Sequence, residues 1–228
     1  MRPFDKHQLR KGEAVIKYPY CRVIGSLLYL SNTTRSDISI AMSCLSRQLT
    51  DPKPIHLRLI TELLSYLENT KNLCILFKKP DHANTSIELY ADADYATDLT
   101  CKSMSGYLIK YHDSLIHWVS RLQSSISESS AEAELRSIQE GARDVIYLLR
   151  LEQELLGETT LPVIAYEDNK ATFHQCIANA SKGRMKHVTL TMLKVHEYVQ
   201  KGIIDVKLVG TAQQQADYLT KPLPEGKL

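Results

Sequence analysis

The sequence predicts an α/β fold in two parts, a small mostly helical region followed by a mixed sheet flanked by helices. Three observations predict it. Apolar residues before position 80 recur at helical spacing. After position 86, three strand-like segments follow one another, the last two joined by a turn. A long helix signal then opens an alternation of strands and helices. Hairpin-linked strands followed by strand–helix alternation imply a mixed sheet with helices on its faces.

The first region, 1–80, holds three helix signals. "YCRVIGSLLYLSN" places Val23, Ile24, Leu27, Leu28 and Leu30 on one face. "SDISIAMSCLSRQLTDP" starts at an N-cap residue, Ser36 or Asp37, and stops before Pro52. "PIHLRLITELLSYLENTKN" carries Leu57, Ile60, Leu64 and Leu67 at helical spacing, and "LCILF" at 73–77 reads as a short strand. The polar, proline-containing segment 78–86 suits a linker.

The second region, 86–224, begins with "SIELYAD", a strand with Ile87, Leu89 and Ala91 on one face. "SGYLIKYHDSLIHWVS" reads as two strands joined at His112, Asp113 and Ser114. The longest helix signal runs from a Ser cap to Gly157. Ser129 with Glu132 forms a capping-box pattern, and Leu135, Ile138, Ala142, Ile146 and Leu149 trace the core-facing stripe. "PVIAYED" is a buried strand ending at Asp168, followed by a helical segment. "VTLTMLKVHEYVQKG" is an amphipathic helix stopped at Gly202, "IIDVKLVG" a strand, and "TAQQQADYLTKPLP" a short helix halted by Pro222.

Bulk properties narrow the function classes. The chain has 228 residues, 43% hydrophobic and 24% charged, which is ordinary for a globular protein with a buried core. A net charge of +2 means that any nucleic-acid contact comes from a local basic face. Cys21, Cys44, Cys74, Cys101 and Cys176 lie far apart with no C-x-x-C, which suits reduced thiols in an intracellular protein. The N-terminal stretch has no signal-peptide core, and no run approaches the ~18 apolar residues of a membrane span, so no membrane partner is expected.

The stretch "IELYADADYATD" gathers Asp92, Asp94 and Asp98 where a strand runs out. Other acids occupy comparable places: Glu134 in the first turns of the long helix, Asp168 at the end of a later strand, Asp217 in the last helix. In sheets of this kind, sites gather at strand ends near a switch in strand order. Carboxylates converge when divalent cations cancel their repulsion. An oxygen-only donor set suits Mg²⁺, and two such ions about 3.5–4 Å apart can activate a water and stabilise the leaving oxygen of a phosphodiester. No histidine or cysteine accompanies these acids at zinc spacing.

These residues carry a resemblance. "YADADYATD", "KSMSGYLI", "IHWVSRLQ", "SSAEAEL", "YEDNKA", "GRMKHVTLT" and "QQQADYLTKPLP" resemble, in content and order, the ribonuclease H domain at the end of the Pol polyprotein of copia-type LTR retrotransposons. The first region resembles the end of the reverse transcriptase with its connection, and the resemblance spans about 17–224. It implies a ribonuclease H-like sheet, three antiparallel strands then parallel ones, and a two-metal site at Asp92, Glu134, Asp168 and Asp217 that binds Mg²⁺ or Mn²⁺. Asp92 would bridge both ions. Asp168 and Asp217 would hold the ion that positions the water, and Glu134 the ion beside the leaving oxygen. The implied reaction is endonucleolytic cleavage of RNA in an RNA–DNA hybrid, leaving a 3′-hydroxyl and a 5′-phosphate, with RNA told from DNA by its 2′-hydroxyl.

The neighbouring residues have plainer readings. Asp94 and Asp98 read as solvated loop acids, and Glu132 as a capping residue. Glu167 stands where the family has an uncharged residue, and on a strand it should face away from Asp168. Lys182, Arg184, Lys186 and His187 in "SKGRMKH" either contact the hybrid's phosphates or form an exposed loop before a helix. His187 matches the family's "KH", but Thr189 replaces the acid expected two positions on. Trp118 reads as core. The polymerase's paired-aspartate motif is absent, so no DNA synthesis is expected. The chain reads as a fragment of a longer element or a reading frame derived from one. The polymerase region would be its natural neighbour, and self-association through the N-terminal helices is expected where that neighbour is missing. The competing function is a non-catalytic relic or nucleic-acid-binding module that keeps the fold.

Overall fold

The computed structural model describes residues 19–79, 87–177 and 186–222, with the side chains of 186–189 excepted. The chain divides into two units, 1–75 with 221–228, and 76–220.

In the first unit, helices α1 (Tyr20–Thr33), α2 (Ser39–Ser46) and α3 (Pro54–Asn69) enclose an apolar core of Tyr20, Ile24, Leu27, Ile38, Met42, Leu45, Ile60 and Leu63. The predicted start of α2 at Ser36 or Asp37 is instead a 3₁₀ turn, Ser36–Ile38. The buried stripe of α3 is His56, Ile60 and Leu63, whereas Leu64, expected inside, is 45% exposed. The difference lies at the helix start, where Lys53 N donates to His56 Nδ1 at 2.8 Å and turns that polar ring inward. Arg35 is buried against Asp37 through Nε and Nη2 (2.9 and 2.7 Å), while Tyr66 Oη donates to the same carboxylate at 2.8 Å.

The predicted strand at 73–77 does not form. Leu73, Leu76 and Phe77 are largely exposed, with no strand assigned between 73 and 79. A short apolar run becomes a strand only when a sheet edge pairs with it.

The second unit is built on five strands: β1 (Ile87–Asp94), β2 (Met104–Tyr111), β3 (Ser114–Leu122), β4 (Val163–Glu167) and β5 (Ile204–Leu208). Their order is β3-β2-β1-β4-β5. β1, β2 and β3 pair antiparallel, and β4 and β5 continue parallel to β1. This is the ribonuclease H-like sheet that the resemblance implies. The β2–β3 turn consists of His112 and Asp113, both at positive φ (48° and 61°), as a two-residue hairpin loop demands.

Helix α4 (Ser130–Leu156) packs on the β1–β2 face. Ser129 caps it by accepting from Glu132 N at 3.1 Å, and Gly157 closes it in the left-handed conformation at φ 76°. Leu135, Ile138, Ala142, Val145 and Leu149 join Leu89, Ala91, Tyr107, Ile109, Val163 and Ala165 in one core. Ile146, predicted for the stripe, lies at its edge, and Val145 takes the buried place. Helices α5 (Lys170–Ile177) and α6 (Lys186–Gln200) complete this layer. The short helix α7 (Asp217–Thr220) covers the opposite face, where Ala216 and Leu219 meet Tyr90 and Leu108, with Trp118 packed beside them.

Candidate active site

The site forms where β1 and its parallel neighbour β4 end together. Tyr90 pairs with Tyr166, and the same register carried two residues onward sets Asp92 beside Asp168. α4 lays its second turn across these ends. Asp92, Glu134 and Asp168 each offer an oxygen within 4.8 Å of the other two. Asp92 and Glu134 are buried, at 3% and 6% exposure. Three of the four expected acids therefore meet.

The fourth, Asp217, is the first residue of α7 and lies outside that 4.8 Å group. Its helix is nevertheless docked on β1. Gln214 Nε2 donates to the Ala91 carbonyl at 2.8 Å, and Thr220 Oγ1 donates to Asp92 Oδ2.

Electrostatics in the group are severe. Glu134 is held well above the ordinary carboxyl range, first by burial, then by the charges of Glu167, Asp92 and Asp168, with a hydrogen bond from the Ala93 backbone opposing. Its Oε2 is buried without a hydrogen-bond partner among the described residues. Glu167 is also raised, first by burial; the Asn169 N–H, donating to its Oε1 at 2.8 Å, opposes, and Asp168 and Asp92 add to the rise. Glu167 is fully buried, and its Oε2 has no hydrogen-bond partner among the described residues. It points to the core side with Val163 and Ala165, as strand alternation requires. Facing away from Asp168 along the strand still leaves it beneath Glu134, close enough to act on it.

The donor set is oxygen only, acidic and incompletely satisfied. That chemistry fits hard divalent cations, which take carboxylate oxygens and retain waters. Asp92, Glu134 and Asp168 are the residues that could hold one.

The other acids have structural partners. Glu132 Oε2 accepts from Glu128 N at 2.7 Å, and its Oε1 pairs with Arg136 at 2.6 Å. Asp98 Oδ2 accepts from Thr100 N at 3.0 Å and from its hydroxyl, closing the loop after β1. Lys182 and Arg184 lie outside the described residues, as do the side chains of Lys186 and His187 at the start of α6.

Two polar residues that sequence reasoning passed over support the site. Gln123, 3% exposed, donates through Nε2 to Ser105 Oγ and to the Ala133 carbonyl, both at 2.9 Å, and accepts from Ser127 Oγ at 2.7 Å. It ties the end of β3 to the residue before Glu134. Thr220 is the other. The only sequence signal for it is its place three residues after Asp217, on the same helical face.

No model of a known protein family matches the chain. It is 36% identical over 226 residues to the retrovirus-related Pol polyprotein from transposon RE1 of Arabidopsis thaliana, covering 98% of this chain and 15% of that protein. It is 32% identical over 212 residues to the retrovirus-related Pol polyprotein from transposon TNT 1-94 of Nicotiana tabacum, covering 92% of this chain and 16% of that protein. The chain thus spans about a sixth of the curated relatives it matches. Among solved structures it resembles a foamy viral protease-reverse transcriptase in complex with RNA/DNA hybrid, with a TM-score of 0.52 at 16% identity, covering 97% of this chain and 28% of that one.

Proposed function

Because the chain belongs to the Pol polyproteins of copia-type LTR retrotransposons, we propose that its second unit is a metal-dependent ribonuclease H that cuts the RNA strand of RNA–DNA hybrids. One observation supports this above the rest: Asp92 and Glu134, both buried, and the half-buried Asp168, remote in sequence, converge near the ends of parallel strands. Burying Asp92 and Glu134 beside the half-buried Asp168 is strongly unfavourable unless cations or protons neutralise them. Family membership then favours cations and a phosphodiester substrate.

Asp92, Glu134 and Asp168 would hold a divalent ion, and Asp217, which opens α7, is the fourth acid that could contribute. Bound Mg²⁺ or Mn²⁺ supplies an activated water and neutralises charge on the leaving oxygen. The chain's own part is to keep these carboxylates preorganised. The β1–β4 register fixes Asp92 beside Asp168, Gln123 anchors the α4 backbone at Ala133, and Glu134 would have to be ionised to hold a cation. The substrate is the hybrid, and the reverse transcriptase region of the same polyprotein is the natural neighbour of this unit.

The test is cleavage of a labelled RNA–DNA hybrid with Mg²⁺ or Mn²⁺, with and without chelator, by the wild type and by Asp92→Asn. Metal-dependent cutting that Asp92→Asn abolishes without loss of fold is the expected result. No cleavage under either metal would instead leave a binding module that keeps the fold. Loss on Asp94→Asn with retention in Asp92→Asn would move the site to Asp94, the last residue of β1.

A further inference from the structure

We propose that Thr220 is a positioning residue that sets the pose of the Asp92 carboxylate for cation binding, an inference that rests on the metal-dependent reading of the site. Thr220 is fully buried at the end of α7, and Asp92 lies 128 residues away. Its hydroxyl has one proton and two acceptors in reach, the Asp92 Oδ2 and the Asp217 carbonyl at 3.1 Å. The carboxylate is the stronger acceptor and takes the proton. A carboxylate held at one oxygen by a fixed donor has its plane set as well as its position.

The donor itself is tightly held. Asp92 sits opposite Gly106 in the β1–β2 register. A Cβ on Gly106 would lie 2.5 Å from Thr220 Cγ2 and 2.8 Å from Leu219 Cβ, so α7 packs directly on the strand backbone where a side chain would otherwise stand. The Gln214 bond to the Ala91 carbonyl fixes the approach to α7 one residue before Asp92. The helix that begins with Asp217 therefore ends with the group that orients Asp92. Hydrogen-bonded supports of metal-binding carboxylates typically change metal affinity by about 10–100-fold when removed.

Thr220→Val, which keeps the shape and removes the hydroxyl, and Thr220→Ser, which keeps the hydroxyl, separate this role from packing. Calorimetric Mn²⁺ binding without substrate is the first readout, and hybrid cleavage against metal concentration the second. We expect Thr220→Val to stay folded, bind Mn²⁺ about 10-fold more weakly, and need correspondingly more metal for half-maximal cleavage, while Thr220→Ser matches the wild type. A folded Thr220→Val with wild-type Mn²⁺ affinity overturns the proposal and leaves the metal reading standing. So does a Thr220→Ser as weak as Thr220→Val, because the methyl would then be the operative group. If Thr220→Val does not fold, Thr220→Ala is held to the same criterion. A wild type that binds no Mn²⁺ fails at the earlier step, overturning the metal reading and this proposal with it.

Discussion

Gln123 Nε2 donates to the carbonyl of Ala133 at 2.9 Å, joining the end of the edge strand β3 to the residue that immediately precedes Glu134. The same amide serves Ser105 and accepts from Ser127, all in buried surroundings. Gln123→Met conserves volume but strands these three partners. Buried polar groups left unpaired cost about 1–3 kcal/mol each, with partial relief by relaxation. We expect a loss of about 2–4 kcal/mol, read as a lower urea midpoint at unchanged slope, together with weaker Mn²⁺ binding as the start of α4 loosens. A midpoint equal to the wild type's would show that the network carries no stability.

The raised carboxyls make the metal-free protein sensitive to pH in a defined direction. Folded Glu134 and Glu167 hold protons more tightly than the unfolded chain does, from an ordinary value of 4.5 upward. The stability this contributes is complete below the unfolded value and is lost as pH rises towards the folded ones. With chelator present, the melting temperature should fall between pH 5 and pH 8, by at least the ~3 °C that about 1 kcal/mol represents at this chain length. Glu134→Gln should flatten that slope and abolish cleavage. Glu167→Gln should flatten it in part while cleavage continues. Saturating Mn²⁺ should restore the wild type at pH 8, since it binds the ionised forms. A chelated wild type that is steadier at pH 8 than at pH 5 would contradict the assignment.

The parts of this fold legible in the sequence are those whose signals are local. Ser129 and Gly157 bracket α4 because capping and left-handed closure act within one turn. The His112–Asp113 turn announces its hairpin for the same reason. The meeting of Asp92, Glu134 and Asp168 was legible because each lies near the end of an element that the sequence marks. What depends on tertiary placement was not legible. The run at 73–77 looks like a strand until no edge pairs with it. The face that α3 buries turns on a hydrogen bond made by His56. Glu167 alternates away from Asp168 as expected, yet the helix above it brings Glu134 into its field. Gln123 and Thr220 carry no periodic signal, and their partners lie up to 128 residues off.

In the first unit the decisive polar contact is Arg35 with Asp37, with side chains 7% and 14% exposed. The guanidinium also donates to the Thr70 carbonyl and hydroxyl, at 3.2 and 2.6 Å, which ties the connection between α1 and α2 to the end of α3. Removing one charge leaves the other buried and uncompensated, which typically costs about 3–5 kcal/mol. Arg35→Met should therefore destabilise this unit by about that amount. Arg35→Met with Asp37→Leu should recover at least half, because no lone charge then remains. A double variant no better than Arg35→Met alone would assign the loss to the Thr70 contacts instead.

Gly106 offers a test of how tightly α7 is clamped to the strand opposite Asp92. An added methyl would meet Thr220 Cγ2 at 2.5 Å and Leu219 Cβ at 2.8 Å, both inside contact distance. Neither atom is the far end of a flexible side chain, so β2 or α7 must shift, and overpacking of this kind costs about 1–3 kcal/mol. Thr220→Ser deletes Cγ2 and keeps the hydroxyl. Combined with Gly106→Ala it relieves the closer clash and leaves the one with Leu219. The double variant should thus be more stable than the sum of the single changes by about 1 kcal/mol, a coupling within the range for residues in direct contact. Simple additivity in that cycle would mean that α7 moves away as a body when the methyl is added. Mn²⁺ affinity would then fall equally in Gly106→Ala and in the double variant, whereas a helix that stays seated should keep the affinity of the double variant close to that of Thr220→Ser alone.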